Sequence, residues 1–213
     1  MWFRLDLDSC TEDSERMKIG FSLWRTVSRA SSRSFFLSLI ASIAWGAFNP
    51  IHASAKVLLA KDEALALAFP PGLEVHERGV LLTAAQKEEI QAKAETTISS
   101  SLFHYFEGRR GDDVIGYAVI DARTMRTNQG VFMVVLSKEL VVQKVVMLAF
   151  NEPSEYQPPD AWLDQLAGNK QITDLIPGQG IPPIAGSTLS AQGISDGVRA
   201  VRASIEVVVG KRN

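Results

Sequence analysis

The stretch Gly186-Ser187-Thr188-Leu189-Ser190 puts three hydroxyls and a glycine where an irregular loop gives way to a helical pattern. At such a junction several backbone N–H groups lack acceptors inside the helix, and a phosphate is the kind of group that suits them. Ser187, Thr188 and Ser190 add hydroxyl donors, and Gly186 admits close backbone approach. By spacing alone the same residues also describe a plain N-cap, the commoner use of Ser and Thr at a helix start.

The elements that must position this stretch are legible on both sides of it. Downstream, Ile194, Val198, Val201, Ile205 and Val208 recur at steps of four, three, four and three, the stripe of a helix packed on a sheet. Its last residues, Val207-Val208-Val209, read equally as a helical end or a further strand. Upstream, residues 172–183 are rich in glycine and proline, a loop that can pass close to a ligand. Before it, Asn151-Glu152-Pro153 ends a strand, Pro158-Pro159-Asp160 caps a short helix AWLDQLAG, and Gly168 stops it.

Three β-branched and aromatic runs, residues 114–120, 130–137 and 141–150, predict neighbouring strands, the second and third joined as a hairpin through Ser137-Lys138-Glu139-Leu140. Residues 108–113, Gly-Arg-Arg-Gly-Asp-Asp, predict a polar turn ahead of them. Residues 61–69 read as a short amphipathic helix stopped by Pro70-Pro71-Gly72, and Thr83-Ala84-Ala85-Gln86 has the form of a capping box opening a helix that runs to about Glu95. Together these predict an α+β fold: an antiparallel sheet of at least three strands with helices packed on it, the last helix starting at the candidate phosphate site.

The totals bound the chemistry. In 213 residues, 46% hydrophobic and 22% charged with a formal net charge of −2, there is material for one core and no basic stripe to serve nucleic acid. The single cysteine, Cys10, precedes a basic run that opens at Met17, read as the true start, and an apolar run over residues 35–48. His52-Ala53-Ser54-Ala55 follows with small residues spaced Ala-x-Ala, so residues 1–55 read as a leader cleaved after Ala55. An uncleaved anchor is the other reading, though a fourteen-residue apolar run falls short of the roughly 20 that span a bilayer. Either way, residues 56–213 are expected outside the cytoplasm, in the periplasm of a Gram-negative cell, without disulfides or a cysteine nucleophile.

The run Ala185-Gly186-Ser187-Thr188-Leu189-Ser190 resembles the signature of the FMN-binding domain family, approximately Ser-Gly-Ala-Thr-x-Thr/Ser followed by a helix. That family includes flavin-carrying subunits of ion-pumping NADH:quinone and ferredoxin oxidoreductases. The strand around Ile115-Gly116-Tyr117-Ala118, the hairpin, Glu152 after the third strand, and the run from Trp162 to Asn169 follow the family's order. The resemblance implies FMN joined through its phosphate to Thr188 by a flavin transferase, with Gly186, Ser187, Leu189, Ser190, Ala185 and Glu152 around it. It implies an electron-transfer flavoprotein served by a membrane redox partner, not a stand-alone catalyst. The chain departs from the pattern at two places. Pro182 stands where an aspartate is usual, which bears on modification by the transferase. Ala185 and Ser187 exchange the usual serine and alanine, making Ser187 a rival attachment point.

The remaining candidates have plainer readings. His76 and His104 lack ligand spacing and are expected to be ordinary polar residues. Tyr117 and Phe132 either pack on a flavin ring or fill the core, and Met125, Met133 and Met147 fill the core. Scattered Ser, His and Asp without a nucleophile elbow give a hydrolase little support. The competing function is a secreted binding or interaction module of the same fold in which Thr188 only caps its helix.

Overall fold

The computed structural model describes residues 56–169 and 171–210, so residues 1–55, read above as a leader and holding Cys10 and Met17, lie outside the described residues. Six strands form one antiparallel sheet in the order β1-β6-β5-β4-β3-β2: β1 Lys56–Val57, β2 Glu74–Leu81, β3 Leu102–Arg110, β4 Asp113–Thr124, β5 Gln129–Ser137 and β6 Val142–Phe150. The helices are α1 Lys61–Ala68, α2 Ala84–Ala94, α3 Asp160–Leu163 and α4 Thr188–Gly210. The architecture is α+β.

The central strands are apolar on both faces because both are covered. On β5, Phe132, Val134 and Leu136 join Tyr105, Tyr117 and Met147 in a core closed by α2 and α4, whereas Met133 and Val135 join Phe106, Ala118 and Leu148 beneath α1. A strand buried on two sides loses the polar–apolar alternation of a half-exposed one, which is why the run VFMVVL is continuous. The ring of Phe69, which ends α1, seats on the backbone of Gly108, where any Cβ would stand 2.3 Å from Phe69 Cδ1. The ladder carries a bulge at that point, between Gly108 and Arg109.

The long helix α4 crosses the other face. Fourteen of its 23 residues are buried, among them the predicted stripe Ile194, Val198, Val201, Ile205 and Val208. Two glycines let it lie close: a Cβ on Gly197 would meet Phe132 Cζ at 2.3 Å, and one on Gly193 would meet Met125 Sδ at 3.1 Å. Residues 207–209 are helical, which decides between the two readings of that run.

The capping box at α2 is formed, with Gln86 N–H donating to Thr83 Oγ1 at 3.2 Å and Thr83 N–H donating to Gln86 Oε1 at 3.0 Å. The β5–β6 hairpin is formed too, turning with Leu140 in the left-handed region at φ 61°. Two expectations are corrected. Residues 108–110 belong to β3, which pairs with β4 up to Arg110 and Asp113, so the polar turn shrinks to Gly111-Asp112. The segment AWLDQLAG is α-helical only over Asp160–Leu163 and continues as 3-10 turn over Asp164–Leu166, tightened by Ala167 N–H donating to Asp164 C=O ahead of the left-handed Gly168, and Pro159 at the N-cap supplies no side-chain bond.

Candidate functional site

Three segments converge at the start of α4: the β4–β5 turn around Met125–Asn128, the stretch Glu152–Tyr156 after β6, and the loop leading to Thr188. The first backbone bond of the helix runs from Ala191 N–H to Ser187 C=O at 2.9 Å, so the N–H groups of Thr188, Leu189 and Ser190 precede any acceptor within the helix. Thr188, Leu189, Ala185 and Gly186 are exposed, and Gly186 holds φ 83° with open space beside its Cα. The glycine therefore serves a left-handed turn here, and among the described residues nothing beyond its chain neighbours comes within 4 Å of where a Cβ would stand.

The hydroxyls divide by burial. Thr188 Oγ1 donates to Ile184 C=O at 2.9 Å and faces solvent on an exposed residue. Ser187 is buried and its Oγ donates to Glu155 C=O at 3.4 Å, tying α4 to the segment after β6. Ser190 is fully buried, and its Oγ has no partner among the described residues. In a helix the Cα–Cβ bond tilts toward the N-terminus, so this hydroxyl leans back over the first turn. Pro182 is exposed, and its carbonyl accepts the indole N–H of Trp162 at 2.9 Å, which anchors the loop on the segment that holds α3.

Glu152 lies among these segments but uses its carboxylate on the hairpin. Its Oε1 accepts the backbone N–H groups of Asn128 at 2.7 Å, Thr127 at 2.5 Å and Arg126 at 3.0 Å. These bonds, Asn128 first and Thr127 next, hold the carboxyl well below its ordinary value, at about 2. The turn is thus a ready-made anion nest already filled by the protein's own carboxylate. Arg126, whose N–H enters that nest, lays its guanidinium 3.9 Å from the ring centre of Tyr156, next to the Glu155 carbonyl that receives Ser187. Arg126 and Tyr156 carry no sequence signal of their own; only the pairing of the turn with the post-β6 segment brings them here.

The other sequence candidates take plain places. Tyr117 and Phe132 are core, as are Met125, Met133 and Met147. His76 lies 3.3 Å from Glu74, and His104 lies 3.9 Å from Glu77, all four at the surface. No group of three or more metal-ligating side chains comes together among the described residues.

A separate cleft of about 470 Å³ opens between β3, β4 and α4. It begins at Gly193 and follows α4 to Ser204, with the loop from Thr96 to Ser100 as its outer wall. Arg123 pins that loop: its Nη1 donates to Thr97 C=O at 3.3 Å, while its Nε pairs with Asp121 at 2.8 Å. At about 100° per residue, Thr188 points about 140° around the helix from Gly193, whereas Leu189 shares the cleft's side. No family model and no curated protein matches the chain.

Proposed function

We propose that this protein is an extracytoplasmic flavoprotein that carries FMN as a phosphoester on Thr188 and passes electrons between a membrane oxidoreductase and an acceptor. The observation that carries the reading is an exposed threonine hydroxyl on the first residue of a 23-residue helix, with three first-turn N–H groups ahead of the first helical bond. A phosphate there meets the positive end of the helix and the backbone donors of Leu189 and Ser190. The buried, unpartnered Ser190 hydroxyl fits the same donor set. Ala185 and Gly186 leave the approach open, and Ser187, buried and bonded to Glu155, is the poorer nucleophile for a transferase to reach.

FMN would supply the electron transfer, which asks of the protein only that it hold the ring, tune it and leave an edge accessible. Covalent attachment keeps the cofactor from diffusing away outside the cell. Glu152 serves this reading at one remove, by fixing the hairpin turn against which the start of α4 packs.

A second reading, an interaction module without cofactor, is favoured by one observation: Thr188 already has a local partner in Ile184 C=O, and Pro182 offers no carboxylate beside it. Production with a flavin transferase separates the two. Under the first reading the denatured protein gives a fluorescent flavin band that is lost in Thr188→Ala. Under the second the wild-type band is dark, and the intact mass is that of the bare polypeptide.

A further inference from the structure

We propose that the cleft between β3 and β4 is a slot for an extended peptide segment of a partner protein, which pairs with the backbone of β4. The two strands begin as an ordinary antiparallel pair at Arg110 and Asp113, but the register ends at Phe106 and Ala118. Beyond that point β3 continues to Leu102 paired only with β2, and β4 continues to Thr124 paired only with β5. The sheet splits, and the cleft fills the split.

The hydrogen-bonding direction of each residue follows from the alternation of an antiparallel ladder. Leu82 N–H donates to Ser101 C=O at 2.7 Å, so on β3 the odd-numbered residues 103 and 105 face β2, and Leu102, His104 and Phe106 face β4. Phe106 is paired with Ala118, which turns Ile120, Ala122 and Thr124 of β4 toward the split. Leu102 is served locally, since Ser100 Oγ both accepts its N–H and donates to its C=O. Ile120 and Ala122 have no register partner on β3 among the described residues, although Leu102 and His104 line the same cleft. An interior pair of strand residues in that state presents what an added strand requires.

The cleft, of about 470 Å³, has room for a short extended segment beside the Ile120–Thr124 stretch, which offers alternate residues to a partner. Side chains of the inserted segment alternate: one set meets Leu102, which is 54% exposed, and Ile120, and the other meets Asp121, Arg123 and Asp196 beside Ala200 on α4. The partner is thus an extended segment with apolar residues on one side and polar ones on the other. This inference does not depend on a cofactor at Thr188.

The test uses the full chain in its native state and a phage-displayed library of nine-residue peptides. The expected result is enrichment of peptides whose leading member, made synthetically, slows amide exchange at Ile120 and Ala122. Its binding should fall at least tenfold when alternate peptide residues are N-methylated, and at least tenfold in Ala122→Pro. That proline removes only an N–H directed into the split, leaving the ladder to β5 intact. Should the variant fail to fold, the exchange and N-methylation results on the wild type stand by themselves. Absence of enrichment, binding indifferent to N-methylation, or protection at sites other than Ile120 and Ala122 would overturn the proposal. So would a dimer, seen in sedimentation, that occludes the same two amides.

Discussion

The Glu152 carboxylate accepts the backbone N–H of Asn128 at 2.7 Å, joining the residues just after β6 to the turn between β4 and β5. The bond has a definite pH signature. Glu152 titrates near 2 in the folded chain against an ordinary 4.5, so its contribution to stability is fully present above pH 4.5 and is lost as pH falls toward 2. Glu152→Gln should therefore flatten the fall in Tm over that interval relative to wild type. A melting series in steps of half a pH unit checks it, and parallel curves for the two proteins would contradict it.

Two glycines on one face of α4 predict unequal tolerances. Alanine at Gly197 places its methyl against Phe132 and the Asp121 carboxylate, both in packed surroundings, and should cost about 1–3 kcal/mol. Alanine at Gly193 crowds the Met125 sulfur at 3.1 Å and the Thr124 carbonyl at 3.3 Å but gains helix propensity, so it should cost clearly less than alanine at Gly197. Urea denaturation of both variants gives the comparison.

Arg199, 4% exposed, donates to Ala94 C=O at 2.6 Å and pairs with Asp196, so it closes the carboxyl end of α2 from within α4. Arg199→Ala leaves a buried carbonyl without its donor and should destabilise by about 2–4 kcal/mol. Asp196→Asn, at a side chain 26% exposed, keeps that donor and should cost about 1 kcal/mol or less. Equal losses for the two would show that the ion pair, and not the helix end, is what matters.

Attachment chemistry predicts a third contrast, between neighbouring hydroxyls. Ser187→Ala should retain the flavin band and lose only the hydrogen bond to Glu155, whereas Thr188→Ser should keep the band and Thr188→Ala lose it. Peptide mapping of the labelled protein locates the bond. A band that survives Thr188→Ala and vanishes with Ser187→Ala would move the site by one residue.

Much of the frame is legible in the chain. Strands β4, β5 and β6 announce themselves through β-branched runs, α2 through Thr83 and Gln86, and α4 through its stripe. Strand β2 does not, because EVHERGVL is an edge element whose charges serve solvent and neighbouring carboxylates, as Arg78 does toward Glu107. The end of β3 is hidden for a related reason. Arg109 and Arg110 look like turn residues, yet Arg109 lies along the sheet beside buried Glu107. At the candidate site, the exposed hydroxyl and helix start are in the sequence, but Glu152's hold on the hairpin and Arg126's seat on Tyr156 are not. The split between β3 and β4 is wholly tertiary, since nothing in a strand's own residues states where its neighbour departs.

The sheet is complete at Phe150, yet the element that covers one of its faces, α4, begins at Thr188. A chain made from its amino end therefore carries a greasy surface only partly covered by α2 for some forty residues of further synthesis. Shielding by a holding chaperone during that interval, or postponement of folding until the last helix has emerged, follows from the order in which these pieces are encoded.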